Sequence, residues 1–193
     1  MDTDVCQSGD SEGSDRAWLQ VAQSYDHYTR VLLPSTRKQT TVEVDEVIWP
    51  DIDIARYYPI LCQLARKVIR RPAVLGPAYK YLEYQYRDLA QVLWPEPVDS
   101  CYAIAITKFN TNQWPIQGGT AWATAAFWTE ISKDRLFVYS LEYQKWGLVY
   151  QDPDGIYRFQ RLGMVPKPRG LYTGIGTRDV AQDKAIEIIS AIY

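Results

Sequence analysis

A single histidine, His27, stands among 193 residues. That count excludes a zinc or di-metal centre built on several histidines, and a Ser-His-Asp triad would have to run through a residue close to the N-terminus. Cysteine is nearly as scarce: Cys6, Cys62 and Cys101 are odd in number, far apart and form no C-x-x-C, so neither a zinc ribbon nor a disulfide framework is expected. A reducing, cytoplasmic compartment fits that usage. No charge of one sign dominates, with 21 Lys and Arg against 23 Asp and Glu and a net charge of −2, so nucleic acid and anionic membranes find no overall field to bind. No apolar run approaches the ~18 residues of a membrane span, and no apolar leader opens the chain. What is abundant is aromatic: 7 Trp, 15 Tyr and 4 Phe. The length is that of one domain, or of one domain with an appendage.

Residues 1–15 carry five acids, several Ser and Gly and few apolar side chains, a composition that cannot offset the entropy of ordering and predicts a disordered acidic tail. From Ala17 to Leu33 apolar residues recur at helical spacing, and Pro34 ends the run. Thr41 to Ile48 alternates β-branched and polar residues, as a half-buried strand does. Pro59 fits the first turn of a helix closed by Arg66, Lys67, Arg70 and Arg71, whose charges complement the helix dipole; a phosphate site is the alternative. Residues 16–78 are thus expected to pack as an extension on the rest of the chain.

Residues 79–193 are more clearly punctuated. The periodicity predicts a tyrosine-rich helix over Tyr79–Val92, a buried strand over Cys101–Ile106, a buried helix over Ala121–Ile131 and a strand over Arg135–Ser140. A hairpin turns at Asp152-Pro153-Asp154-Gly155, a short strand covers Leu171–Gly176, and a last helix is capped by Asp179. Strands alternating with helices predict an α/β fold with a mostly parallel sheet and an antiparallel hairpin at one edge.

Two glycine-rich turns carry the chemistry. Gln117-Gly118-Gly119-Thr120 opens the apolar helix, where consecutive glycines and a helix N-terminus turn backbone N–H groups towards an anion; a plain tight turn is the alternative. Gly174-Ile175-Gly176-Thr177-Arg178 again leads from strand to helix, and Arg178 either grips a phosphate bidentately or pairs with Asp179 or Glu187. In a parallel sheet both turns fall on the carboxyl edge, where open α/β sheets bind ligands. Trp114 and Trp122 flank the first turn and are either base-stacking rings or core.

The segment G-G-T-x-W-A, an aromatic-rich strand, a two-stranded ribbon and then Y-x-G-I-G-T-R resemble the Rossmann-like SLOG superfamily, which includes the lonely-guy phosphoribohydrolases and the DNA-processing protein A family. The resemblance covers about residues 79–193 and is strongest to a branch common in phages and viruses. It implies that Gly118, Gly119 and Thr120 cradle a phosphate and that Gly174, Gly176, Thr177 and Arg178 line the same cleft. The hydrolase branch places a glutamate where this chain has Ala125, which speaks against phosphoribohydrolase activity. An Ile-Gly-Thr-Arg-like segment opens many relatives of this kind but lies near the end here, so a permuted or extended topology is implied.

Binding of a nucleotide or nucleotide-derived phosphate without catalysis, as sensor or sequestering protein, is therefore the favoured function, and phage–host defence signalling is the setting that the resemblance implies. Nucleotide N-glycoside hydrolysis is the alternative; it would draw its carboxylate from Glu142, Asp99 or Asp179, with Glu142 the best placed, since Glu130 lies too deep in its helix. A third reading is self-association through the tyrosines of Tyr79–Tyr86. No cofactor, metal, membrane or nucleic-acid partner is expected.

Overall fold

The computed structural model describes residues 3–34, 40, 42–48, 54–71 and 81–193. Strand β1 (Val5–Ser8) is followed by helix α1 (Ser14–Ser24), β2 (Tyr28–Leu32), β3 (Glu46–Ile48), α2 (Ile54–Gln63) with a π turn (Leu64–Val68), and α3 (Leu82–Leu93). Then come β4 (Ser100–Ala105), α4 (Thr120–Glu130), β5 (Leu136–Ser140), the hairpin β6 (Lys145–Gln151) and β7 (Tyr157–Arg161), β8 (Leu171–Gly176), and α5 (Gln182–Ser190). All eight strands form one sheet in the order β3-β2-β1-β8-β4-β5-β6-β7. Pairing is parallel from β3 to β5 and antiparallel in β5-β6-β7. This is a Rossmann-like α/β fold, with the antiparallel ribbon at one edge.

Helices cover both faces. On one, α1 and α5 bury Trp18, Ala22, Ala185 and Ile189 against Tyr102, Ile104 and Tyr172. On the other, α2, α3 and α4 bury Leu61, Leu89 and Phe127 against Cys101, Ala103 and Val138. β4 lies beneath both layers, which is why all six of its residues are buried and its sequence is nearly continuous in apolar side chains. At the hairpin, Asp152 accepts the N–H groups of Asp154 and Ile156, and Gly155 takes φ +78°.

The first half of the chain departs from the sequence reading. Residues 1–15 are not a tail as far as they are described. β1 pairs with β2 on one side and β8 on the other, and Cys6, Gln7 and Ser8 have no exposed surface. Its polar side chains are satisfied internally: Gln7 Nε2 donates to the carbonyls of Gln91 and Trp94, both at 3.0 Å. Gly9 and Gly13 belong to the turn from β1 into α1. The expected helix over Ala17–Leu33 stops at Ser24, and Tyr28–Leu32 becomes a strand because β1 offers it a ladder that outweighs its helical spacing. Of Thr41–Ile48 only Glu46–Ile48 is strand; Thr41 lies outside the described residues. Pro59 sits inside α2 rather than in its first turn. Asp179 does not cap α5, whose cap position is Ala181; its carboxylate takes the Thr177 hydroxyl instead. Within residues 16–78, the described strands β2 and β3 extend the same sheet as the later strands.

Gly174 and Gly176 fix how close α1 lies to that sheet. A Cβ on Gly174 would come within 2.3 Å of the Trp18 ring, and one on Gly176 within 2.2 Å of Ser14 Cβ. Both glycines are needed for packing before any ligand is considered.

Candidate functional site

The strand order reverses around β1, β8 and β4, and a cleft of about 560 Å³ opens beyond their carboxyl ends, where doubly wound sheets hold ligands. Three strand-to-helix turns border it. From the β1–α1 turn come Ser11 and Asp15; from the start of α4 come Gly118, Gly119, Thr120, Trp122 and Ala123; from the β8–α5 turn come Gly176, Thr177, Arg178 and Asp179. Gly118 holds φ +72°, a conformation that favours glycine, and Gly119 occupies the cap position of α4 without a side-chain cap. Among the described residues, nothing accepts the N–H groups of Gly118, Gly119 or Thr120, so the positive end of the α4 dipole faces the cleft bare. Neither ion pair open to Arg178 forms: Glu187 pairs with Lys184 at 2.7 Å, and Asp179 is held by Thr177 at 2.8 Å. Arg178 is left at the mouth as an exposed cation, and Arg71, of the basic cluster read as a helix terminus in preference to a phosphate site, lines the same cleft.

α3 forms the opposite wall with Tyr84, Gln85, Asp88 and Gln91, and Tyr81 precedes them at its cap. Gln85 and Gln91 are 3% and 2% exposed, yet among the described residues Gln85 Oε1 and Gln91 Nε2 have no hydrogen-bond partner. A buried polar atom without a partner costs ~1–3 kcal/mol. At the base, Arg87 lies between two carboxylates: its Nη2 is 2.9 Å from Asp88 Oδ1 and its Nη1 3.5 Å from Asp15 Oδ2. Asp15 Oδ1 also accepts the N–H of Gly176 at 3.0 Å, which ties α1 to the β8 turn.

Burial governs the protonation of this cluster. It pushes Asp88 up to about 7 against the pull of Arg87 and Arg178, with Asp15 adding to the rise. Burial also raises Asp15, in spite of Arg87 and the backbone donors that favour its charge. For Arg87 burial works against the charge, but Asp88 and Asp15 outweigh it and hold the guanidinium protonated. Because the folded-state pKa of Asp88 exceeds its unfolded value, Asp88 lowers stability as pH rises from about 4 to about 7, and the loss is complete above that. Asp88→Asn is therefore expected to raise stability by ~1–3 kcal/mol at pH 8, with the gain vanishing near pH 4. Urea denaturation at several pH values measures this; an unchanged or lower stability at pH 8 would contradict the assignment.

The cleft brings together Gly118, Gly119, Thr120, Trp122, Gly176, Thr177 and Arg178. Gly174 lies outside it beneath Trp18. Trp114 is core: its ring packs edge-on to Trp128 and Tyr157, at centroid distances of 5.5 and 5.3 Å, and its Nε1 donates to Thr124 Oγ1. Asp99 precedes β4 at the opposite edge of the sheet and accepts the Leu171 N–H. Glu142 is exposed in the β5–β6 turn, and Glu130 ends α4 far from its N-terminus. None of these three carboxylates lines the cleft. Asp15, Arg87 and Asp88 do, and sequence reasoning passed over them. Of the tyrosines, Tyr79 lies outside the described residues, Tyr86 is buried, and Tyr81 and Tyr84 are exposed beside the cleft with ring centroids 6.4 Å apart.

Among the described residues, no group of His, Cys, Asp and Glu could hold a metal ion, and no helix is long and apolar enough to cross a membrane. The chain matches no protein-family model, no curated protein and no solved structure.

Proposed function

We propose that the protein binds a nucleotide or nucleotide-derived phosphorylated small molecule in this cleft, as a sensor or sequestering protein. The observation that carries the reading is the convergence of the uncapped α4 N-terminus, the Gly176–Arg178 turn and an unpaired Arg178 on one cleft whose far wall holds partnerless buried amides. Backbone N–H groups and an arginine suit a phosphate. Tyr81 and Tyr84, exposed beside the cleft, offer rings for a base, worth ~1–3 kcal/mol per stacked base, whereas Trp122 lines the cleft only by the small exposed part of a side chain packed in the core. The resemblance of the G-G-T-x-W-A and G-I-G-T-R segments to the SLOG superfamily points the same way, and phage–host signalling is the setting it suggests.

A thermal-shift panel of nucleoside phosphates, ADP-ribose and cyclic nucleotides is expected to contain at least one stabiliser, since ligand at 100 times its Kd adds ~2.7 kcal/mol. Arg178→Ala is expected to weaken that ligand by ~1.5–3 kcal/mol, the worth of a hydrogen bond to a charged group, without lowering the Tm of the free protein. A panel with no stabiliser, or a shift that survives Arg178→Ala, removes the reading.

N-glycoside hydrolysis is a second reading, favoured by one feature: Asp88 lies in the cleft and is half protonated near neutral pH, as a general acid must be. Release of free base from nucleoside monophosphates that is lost in Asp88→Asn and kept in Glu142→Gln would establish it.

A further inference from the structure

Asp88 confronts the place where an anion would sit. A Cβ on Gly119 would lie 3.7 Å from Asp88 Oδ2, so this carboxyl oxygen lies beside the cap residue of the bare α4 N-terminus. Its other oxygen, Oδ1, is engaged by Arg87. Arg87 is itself shared with Asp15, so it cannot also neutralise a bound anion. The remaining ionisable groups around the cleft are Arg71, Tyr81 and Tyr84 on the α3 side and Arg178 and Asp179 on the β8–α5 turn; α4 contributes none. An oxyanion on the N–H groups of Gly119 and Thr120 would therefore set its oxygens against a buried carboxylate, and two anionic oxygens in contact repel unless a proton lies between them.

We propose that Asp88 is a specificity-determining residue of the cleft: it holds the bound oxyanion through a proton shared between its carboxyl group and an anion oxygen, so that one proton is taken up with each oxyanion. The inference rests on the proposed reading of the cleft as an anion site and adds how the anion is recognised. The α4 backbone and the arginines provide attraction, and Asp88 supplies a hydrogen bond that forms only when the proton is present. The proton is cheap to place, because Asp88 already titrates near pH 7 in the folded protein. No covalent bond forms or breaks beyond the proton's own transfer, and the proton comes from solvent. A phosphate monoester, which has a proton of its own near neutrality, can supply it instead.

Sulfate is the diagnostic probe, because it does not titrate between pH 6 and pH 9 and any pH dependence of its affinity belongs to the protein. Calorimetric titration of the full chain is expected to show sulfate binding weakening about tenfold per pH unit above pH 7, or ~100-fold between pH 6 and pH 9. In Asp88→Asn the affinity is expected to change less than about threefold over that range, since the carboxyl group that faces the anion is gone and Asp15 is held by Arg87 and the Gly176 N–H. A flat profile in the unaltered protein, or an equal slope in Asp88→Asn, overturns the proposal. Should the variant fail to fold, titration of the unaltered protein at pH 8 in two buffers of different ionisation enthalpy decides the matter: close to one proton taken up per sulfate supports Asp88, and none overturns it. Sulfate that binds with a flat profile sinks only this inference, whereas no binding of sulfate or inorganic phosphate at any pH removes the anion-site reading as well.

Discussion

Deleting residues 1–9 is expected to abolish folding. β1 lies in the interior of the sheet and, among the described residues, is the strand that joins β2 and β3 to the remainder through β8. Its loss opens two parallel ladders at once, leaving the edges of β2 and β8 without partners beneath a helical layer, where each unmet backbone group costs ~1–3 kcal/mol. The side chains add to this. Cys6, Gln7 and Ser8 are fully buried, Thr173 Oγ1 donates to the Gln7 carbonyl at 2.8 Å, and Gln7 Nε2 ties β1 to the end of α3. For a domain whose whole stability is ~5–15 kcal/mol, the sum exceeds what can be lost. The expected result is a chain with no cooperative urea transition and poor solubility. A disordered acidic tail would be dispensable, so a truncated protein with an unchanged Tm would show that β1 has been misassigned.

The same segment shows what the sequence concealed. Val5-Cys6-Gln7-Ser8 has no alternation or apolar run to mark it as a strand, because it is stabilised by partners from three distant elements rather than by its own hydrophobicity. The Asp, Ser and Gly residues that follow have the composition of a tail, but here they build a tight turn into α1. By contrast, β4, α4, β5, the hairpin and β8 were legible because each is decided locally: a doubly covered strand must be apolar throughout, and the hairpin turn carries its own Asp and Gly.

Half of the cleft was legible for a topological reason. Gly118–Thr120 and Gly176–Arg178 each follow a strand, and parallel pairing puts both on one edge, so their meeting could be anticipated without knowing the strand order. The other half could not. Arg87 and Asp88 sit side by side in a helix and look like a solvated face, and Asp15 looks like part of a tail; only the approach of α1 and α3 across the sheet edge makes them one buried cluster. Trp114 shows the converse. Proximity to the glycine turn suggested a ligand contact, yet three large rings fill a space beside α4 that the chain must pack in any case.

That cluster carries the second large effect. Arg87→Met is expected to lower stability by ~3–5 kcal/mol at pH 8, because it keeps most of the side-chain bulk while leaving Asp15 and Asp88 buried without a counter-charge. With an m-value of ~2 kcal/mol/M, the urea midpoint would fall by roughly 1.5–2.5 M. The sign of the pH dependence separates charge from packing. Without Arg87 the folded-state pKa values of both carboxyl groups rise further above their unfolded values, so the variant gains more stability than the parent as pH falls from 8 towards 5, and the deficit shrinks. A purely steric loss would be the same at both pH values. Adding Asp15→Asn to Arg87→Met is expected to recover part of the loss at pH 8, since the amide oxygen still accepts the Gly176 N–H while one buried charge is gone. A deficit below about 1 kcal/mol at pH 8 would mean that the cluster is hydrated rather than buried, and with that the burial that holds a proton on Asp88 near neutral pH would also be lost.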